Sequence, residues 1–327
     1  MANTSDKRLH QITRSNKLTI LDGGMGDEIH KFLQTTEQEW SAPGLLEPKH
    51  HDFVKQLHKE FALAGSDWLT TANFSVRLRN GFSEEQITEA CKAAGMLARQ
   101  AADETSTDTR KVRVLGSLPP LLDCFRRETE LANEEQYDII IDSLFPFVDA
   151  FIGETLSSVE EANQVLRAAS KKKIATKPCW ISFAPTSEGL LYSGERPSRA
   201  IVRLLKKIDS GDVVQRPQAI LFNCSSPEAI EKALQDVIDD KSAMAILEKN
   251  NCQLGAYPNR YRPVDPDWKS LVQSRREELT PDVFAKTAIQ LSDKFRLSLF
   301  GGCCGISKEF IQALKVAIDE QEIDKKD

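Results

Sequence analysis

Eight short apolar runs, each closing on turn-forming or polar residues, punctuate this chain: Leu18–Leu21, Asp67–Thr71, Val112–Gly116, Ala150–Gly153, Trp180–Phe183, Ala219–Phe222, Gln253–Ala256 and Leu297–Phe300. Runs of this length and framing predict strands. The stretches between them predict helices. Phe53, Leu57, Phe61 and Ala64 recur at helical spacing through Pro48–Ala64. Ser83–Ala102 opens on Ser83-Glu84-Glu85-Gln86, where the serine and the glutamine three residues on form a capping-box pattern. Ser158–Ala169, Arg199–Ile208, Pro227–Lys241, Pro281–Asp293 and Ser307–Glu320 carry comparable patterns.

Strand alternating with helix implies a parallel sheet with helical crossovers. Eight such units in 327 residues suit a closed (β/α)8 TIM barrel of the α/β class, built as a single domain. The competing architecture, an open doubly wound sheet, would place a G-x-G-x-x-G phosphate turn after its first strand. The segment there is Asp22-Gly23-Gly24-Met25-Gly26, which lacks that spacing. The expected organisation is a flexible N-terminal tail over 1–17, the barrel over 18–320 and a short C-terminal tail over 321–327. Asn259–Arg276 reads as a long polar loop after the seventh strand. Loops that follow strands gather at the C-terminal face of a barrel, where active sites form.

Composition narrows the field. Charged residues make up 28% of the chain and hydrophobic residues 40%, as in a soluble globular protein. A net charge of −6 gives no basis for holding nucleic acid through its phosphates. No apolar run approaches the roughly 18 residues that span a bilayer, so no membrane partner is expected. The polar stretch Met1–Lys17 has no apolar core of a secretory signal. Seven cysteines, an odd number with two adjacent, do not form a disulfide framework without such a signal. A reducing, cytoplasmic setting is therefore expected, where clustered cysteines bind metal or do chemistry.

The sharpest local signal is Gly301-Gly302-Cys303-Cys304-Gly305 at the end of the eighth strand. Adjacent cysteines rarely bridge each other, but both can ligate one metal where glycines let the backbone turn sharply. Cys224, at the end of the sixth strand after Asn223, supplies a third thiolate at the same barrel rim. All five histidines lie in the first 58 residues, away from any predicted strand end. Three cysteines leave the fourth position of a tetrahedral zinc open, as catalytic zinc sites do. Zinc so bound can hold a substrate thiol as its thiolate at neutral pH, where a free thiol is mostly protonated. Cys91, Cys124, Cys179 and Cys252 read as inert small residues.

With the glycine loop, Asn223-Cys224 and Gly302-Cys303-Cys304-Gly305 in view, the sequence resembles the homocysteine S-methyltransferase family over nearly its whole length. Gly153-Glu154-Thr155, Ile181-Ser182-Phe183 with Glu188-Gly189 and Ser193-Gly194-Glu195, and Tyr257-Pro258-Asn259 add to the likeness. The resemblance implies a barrel fold and methyl transfer from an onium or other activated donor to zinc-bound homocysteine, giving methionine. It places zinc on Cys224, Cys303 and Cys304. It places homocysteine in the loop at Asp22, Gly23, Gly24 and Met25, with Glu154 on the substrate ammonium. Asn223 would either orient the substrate or satisfy backbone groups. Asp22 would contact substrate or brace its loop, and Glu154 could instead be a structural ion-pair partner.

Two loops depart from the family pattern. Many relatives read Thr-Asn-Thr-Tyr-Gln-Ala-Ser after the second strand; here stands Thr71-Ala72-Asn73-Phe74-Ser75-Val76-Arg77. The usual Gly-Pro-Tyr-Gly after the third is Gly116-Ser117-Leu118-Pro119-Pro120. Arg77 reads as a solvated loop residue or as a carboxylate-recognising group on the donor side. Betaine-using members are longer at the C-terminus, so S-methylmethionine or S-adenosylmethionine is the expected donor class, and a monomer or small homo-oligomer the expected state. Two other readings remain. A Schiff-base lyase would need a lysine at a strand end, yet Lys173 and Lys177 precede the fifth strand. A non-catalytic descendant that binds zinc or a thiol would account for the altered loops, and a related thiol or selenol acceptor stays open.

Overall fold

The computed structural model describes residues 18–36, 39–127, 130–171, 176–209, 215–262 and 274–324. Eight parallel strands run through it: β1 (Thr19–Ile20), β2 (Trp68–Thr70), β3 (Arg113–Leu118), β4 (Ala150–Leu156), β5 (Cys179–Phe183), β6 (Pro217–Asn223), β7 (Gln253–Tyr257) and β8 (Leu299–Phe300). Hydrogen-bonded neighbours follow chain order from β2 to β8, and β8 then pairs with β1. Closure falls to β1 and β2. Leu21 bridges Trp68 in parallel, and the Asp67 N–H donates to the Ile20 carbonyl at 2.7 Å. The Ile20 N–H donates to Asp67 Oδ2 at 2.9 Å, so a side chain stands in where the two short strands run out of partners. The sheet is a closed barrel, not an open doubly wound sheet.

Eleven helices accompany the strands among the described residues: α1 (Met25–Leu33), α2 (Ala42–Leu46), α3 (His51–Ala64), α4 (Glu84–Thr105), α5 (Glu135–Leu144), α6 (Val159–Ser170), α7 (Pro197–Asp209), α8 (Pro227–Asp239), α9 (Lys241–Lys249), α10 (Pro281–Phe295) and α11 (Lys308–Asp324). Local capping explains many of their starts. Ser83 and Gln86 form the reciprocal capping box, and Ser158, Ser226 and Thr280 each accept from a backbone N–H three residues on. The helix read over Pro227–Lys241 is α8, which ends at Asp239, and a further helix follows it because the Asp240 side chain caps the N–H groups of Ser242 and Ala243 and starts α9. The helices α1, α2, α5 and α9 are absent from the sequence reading, although Tyr137, Ile140, Ile141 and Leu144 bury one face of α5. The expected tail residues 1–17 and 325–327 lie outside the described residues, and α11 continues past Glu320 to Asp324. No described helix is long and apolar enough to cross a membrane.

Two apolar zones hold the barrel. The larger lies between strands and helices. The smaller fills the barrel itself with Leu21, Trp68, Leu115, Ile152, Trp180, Leu221, Tyr257 and Leu299. Trp68 and Trp180 meet edge to face at 4.8 Å between ring centroids. This packing plugs the bore and gives the face above it a dry floor.

Candidate metal centre

Cys224 directly follows β6, and Cys303 and Cys304 follow β8 after Gly301 and Gly302. The strand ends bring the three together. Cys224 Sγ lies 2.7 Å from Cys303 Sγ, Cys303 Sγ lies 4.0 Å from Cys304 Sγ, and all three sulfurs fall within 4.8 Å of one another. A tetrahedral site with zinc–sulfur bonds near 2.3 Å spaces its sulfurs at about 3.8 Å, a geometry that small side-chain rotations reach from here. The adjacent Cys224 sulfur, with burial, pushes the Cys303 thiol well above the usual thiol range. Three thiolates packed this closely repel one another unless a cation lies among them. The donor set therefore fits a thiophilic metal ion.

The backbone is shaped for this meeting. Cys224 adopts the left-handed conformation (φ +52°), unusual for a residue with a side chain. Beneath it, buried Asn223 ties three strands: Oδ1 accepts from the Thr155 N–H (3.0 Å) and the Ser182 hydroxyl (2.7 Å), and Nδ2 donates to Thr155 Oγ1 (2.8 Å). Asn223 thus braces Cys224 and is absent from the cleft wall. On the other side, the Gly302 N–H donates to the Asp22 carbonyl and the Gly24 N–H to the Ile306 carbonyl, both at 2.9 Å. The glycines permit this close approach: a Cβ on Gly24 would meet the Cys303 carbonyl oxygen at 2.8 Å, and one on Gly302 would meet Ile306 at 2.2 Å. The loop after β7 joins in, with the Cys303 N–H on Pro258 and the Arg260 N–H on Cys304.

The cysteines border a cleft of about 710 Å³, counted with its open mouth, whose wall includes Asp22, Gly23, Gly24, Met25 and Glu154. Eight of the nine site residues anticipated from sequence therefore share one cleft. Burial pushes the Asp22 carboxyl up to about 7, against hydrogen bonds from the Thr70 N–H (2.7 Å) and hydroxyl (2.9 Å) and aided by nearby Glu154. Burial likewise pushes Glu154 up to about 7, against a hydrogen bond from the Ser117 hydroxyl. The cleft wall thus combines three thiols with two buried carboxyl groups that can take a positive partner. The N–H groups of Gly24 and Met25 are engaged with Ile306 and Gly23 carbonyls, so they are not free donors.

Several cleft residues had no clear sequence signal. Trp40 reaches the wall from the α1–α2 turn, stacked on His30 at 4.4 Å between ring centroids. Phe74 arrives from the altered loop after β2, and Tyr257, quoted above only as part of a motif, brings a buried hydroxyl close to Glu154. Asp27 accepts from the Tyr261 hydroxyl (2.8 Å), Arg275 (3.1 Å) and the Gly305 N–H (3.2 Å), which fastens both ends of the loop after β7 to the site. Residues 263–273 of that loop lie outside the described residues.

Arg77 corrects the sequence reading. It is 7% exposed, not solvated, and donates to the Pro120 carbonyl at 2.6 Å and the Leu122 carbonyl at 2.7 Å. It locks the two altered loops together and is no carboxylate receptor. The Schiff-base reading gains nothing, since Lys177 donates to the Phe145 and Val148 carbonyls before β5 begins. Lys173 lies outside the described residues. Cys91, Cys179 and Cys252 are buried, and burial raises each thiol, which keeps them inert.

Comparison with known proteins agrees with this geometry. A family model described as homocysteine S-methyltransferase matches residues 19–318. Betaine–homocysteine S-methyltransferase 1 of Bos taurus is 27% identical over 92% of this chain and 72% of its own length. Methionine synthase of Mycobacterium leprae (strain TN) is 23% identical over 94% of this chain but only 25% of its own length. Among solved structures, the metallated form of the homocysteine methyltransferase MmuM from Escherichia coli superposes with a TM-score of 0.68 at 20% identity, covering 92% of this chain and 96% of that one. That likeness supports the barrel fold.

Proposed function

The chain belongs to the homocysteine S-methyltransferase family, and from that premise we propose that it transfers a methyl group from an activated donor to the sulfur of L-homocysteine, forming methionine. S-methylmethionine or S-adenosylmethionine is the favoured donor. The observation that carries the proposal is the cleft itself, whose wall joins three sulfurs within 4.8 Å of one another to the buried pair Asp22 and Glu154. Homocysteine carries a thiol and an ammonium on one short chain, and this wall offers a partner to each.

Cys224, Cys303 and Cys304 would hold zinc, which supplies the substrate sulfur as a thiolate at neutral pH. Glu154 accepts the substrate ammonium, and Asp22 adds negative charge while anchoring its loop to Thr70. With the Met25 N–H engaged, the next N–H groups in the first turn of α1, those of Gly26 and Asp27 on the cleft wall, are the donors for the substrate carboxylate. The loops zipped together around Gly24 and Gly302 exclude water from the reacting sulfur. Trp40 and Phe74 line the cleft, and aromatic rings there would attract a positively charged methyl donor. The methyl cation equivalent passes to the sulfur lone pair and the donor departs neutral at its onium centre, so no general base is needed.

Aromatic faces accept a quaternary ammonium as readily as a sulfonium. Betaine, named in the description of the bovine relative, is the second reading. Purified, reduced protein decides the matter by zinc content per chain and by methionine formation from homocysteine with S-methylmethionine, S-adenosylmethionine and betaine in turn. About one zinc per chain with turnover on a sulfonium supports the proposal. Turnover on betaine alone replaces the donor. A folded, reduced protein without zinc overturns it.

A further inference from the structure

We propose that Ser117 is a positioning residue for Glu154, through which the interlocked loops after β2 and β3 set the affinity for the amino end of the thiol substrate. The inference rests on the reading of Glu154 as the ammonium acceptor. Ser117, on β3, is fully buried, and its three polar groups are all engaged. Its N–H donates to Thr71 Oγ1 at 2.9 Å, and its carbonyl accepts from Asn73 Nδ2 at 3.0 Å. Its hydroxyl donates to Glu154 Oε1. Thr71 in turn donates to Asn73 Oδ1 at 2.7 Å, which closes the set.

The arrangement leaves Ser117 little freedom. Two backbone bonds fix its Cα, and from there the hydroxyl donates to Glu154 Oε1. A buried carboxylate gains most from a donor fixed in place beforehand, since no solvent can reorganise around it. The hydroxyl holds Oε1 of Glu154, a residue that lines the cleft together with Cys303. It also favours the charged carboxylate that an ammonium needs. Arg77, donating to the Pro120 and Leu122 carbonyls, ties the loop after β2 to the loop after β3. The two loops that depart from the family pattern in sequence are therefore one hydrogen-bonded unit ending on Glu154.

The test measures binding to zinc-loaded protein by calorimetry, with L-homocysteine and with 4-mercaptobutanoate, the same thiol acid lacking the amino group. Ser117→Ala removes the hydroxyl without adding bulk. The expected result is about a tenfold weaker Kd for homocysteine and an unchanged Kd for 4-mercaptobutanoate, at unchanged zinc content. Ser117→Thr, which keeps a hydroxyl, restores discrimination between the two thiols. Glu154→Gln serves as the reference. If Glu154→Gln loses the preference for the amino thiol and Ser117→Ala keeps it, the positioning role of Ser117 is refuted while Glu154 stands. If Glu154→Gln keeps the preference, the ammonium role of Glu154 fails and this inference falls with it. Equal weakening toward both thiols in Ser117→Ala identifies a general packing defect and also refutes the proposal.

Discussion

Replacing Glu154 by glutamine separates function from stability. The carboxyl ordinarily titrates at 4.5, and burial in the folded barrel raises it to about 7. A raised carboxyl binds its proton more tightly in the folded state. Its stabilising contribution is present below pH 4.5, declines as pH rises through the interval to about 7, and is a net cost above that. The interval corresponds to about 3 kcal/mol, and relaxation in the variant reduces the recoverable part to about 1–3 kcal/mol. Glutamine has nearly the same shape and keeps an oxygen to accept from Ser117. Glu154→Gln is therefore expected to unfold a few degrees higher than the parent at pH 8, by roughly 1.5 °C per kcal/mol in a domain of this size. The gain should vanish near pH 4.5, where the parent carboxyl is neutral too. The same variant loses its charged partner for the substrate ammonium and binds homocysteine about 10- to 100-fold more weakly. Thermal denaturation at the two pH values, with homocysteine titrations at pH 8, covers both halves. A variant less stable than the parent at pH 8, or equally stabilised at both values, would refute the assignment of Glu154 as a buried charge held at a cost for binding.

Other perturbations give separate readouts. Cys303→Ala should remain folded by circular dichroism while zinc content and methyl transfer are lost together; retained activity would end the metal reading. Asn223→Ala leaves the Thr155 N–H and the Ser182 hydroxyl without their acceptor, at a cost of about 1–3 kcal/mol. It should also loosen Cys224, so that a chelator strips zinc faster than from the parent. His58 is buried in α3 with neither ring nitrogen bonded, and burial alone depresses it from 6.5 to about 3. A depressed histidine gives stability that is complete above pH 6.5 and lost as pH falls below it, by about 2 kcal/mol at pH 5. His58→Leu should flatten that part of the acid-denaturation profile, which urea melts between pH 5 and 7 would measure.

Much of this protein can be read from local sequence. Strand–helix alternation survives in the sequence because each strand needs a short apolar run and helix starts often need a cap, and both are set by neighbours in the chain. Ser83, Ser158, Ser226 and Thr280 act on N–H groups three residues away. Gly301-Gly302-Cys303-Cys304-Gly305 is equally local, since glycine marks a tight backbone approach and adjacent thiols mark a ligand pair. The short helices α1 and α2 escaped because they begin inside a glycine loop and beside a proline, where the helical period has too few turns to emerge. Closure between β1 and β2 escaped as well. It depends on the Asp67 side chain reaching across to Ile20, a contact between segments 47 residues apart.

The tertiary structure alone decided what each polar residue does. Nothing near Arg77 in sequence announces that its guanidinium will find the carbonyls of Pro120 and Leu122. Asn223 ends β6 and Glu154 lies within β4, both as buried polar residues, yet Asn223 ties Thr155 and Ser182, whereas Glu154 lines the cleft. The residue types and the order of elements follow from short-range chemistry along the chain. Charge states and side-chain partners depend on which groups are removed from water together, and only the closed barrel determines that.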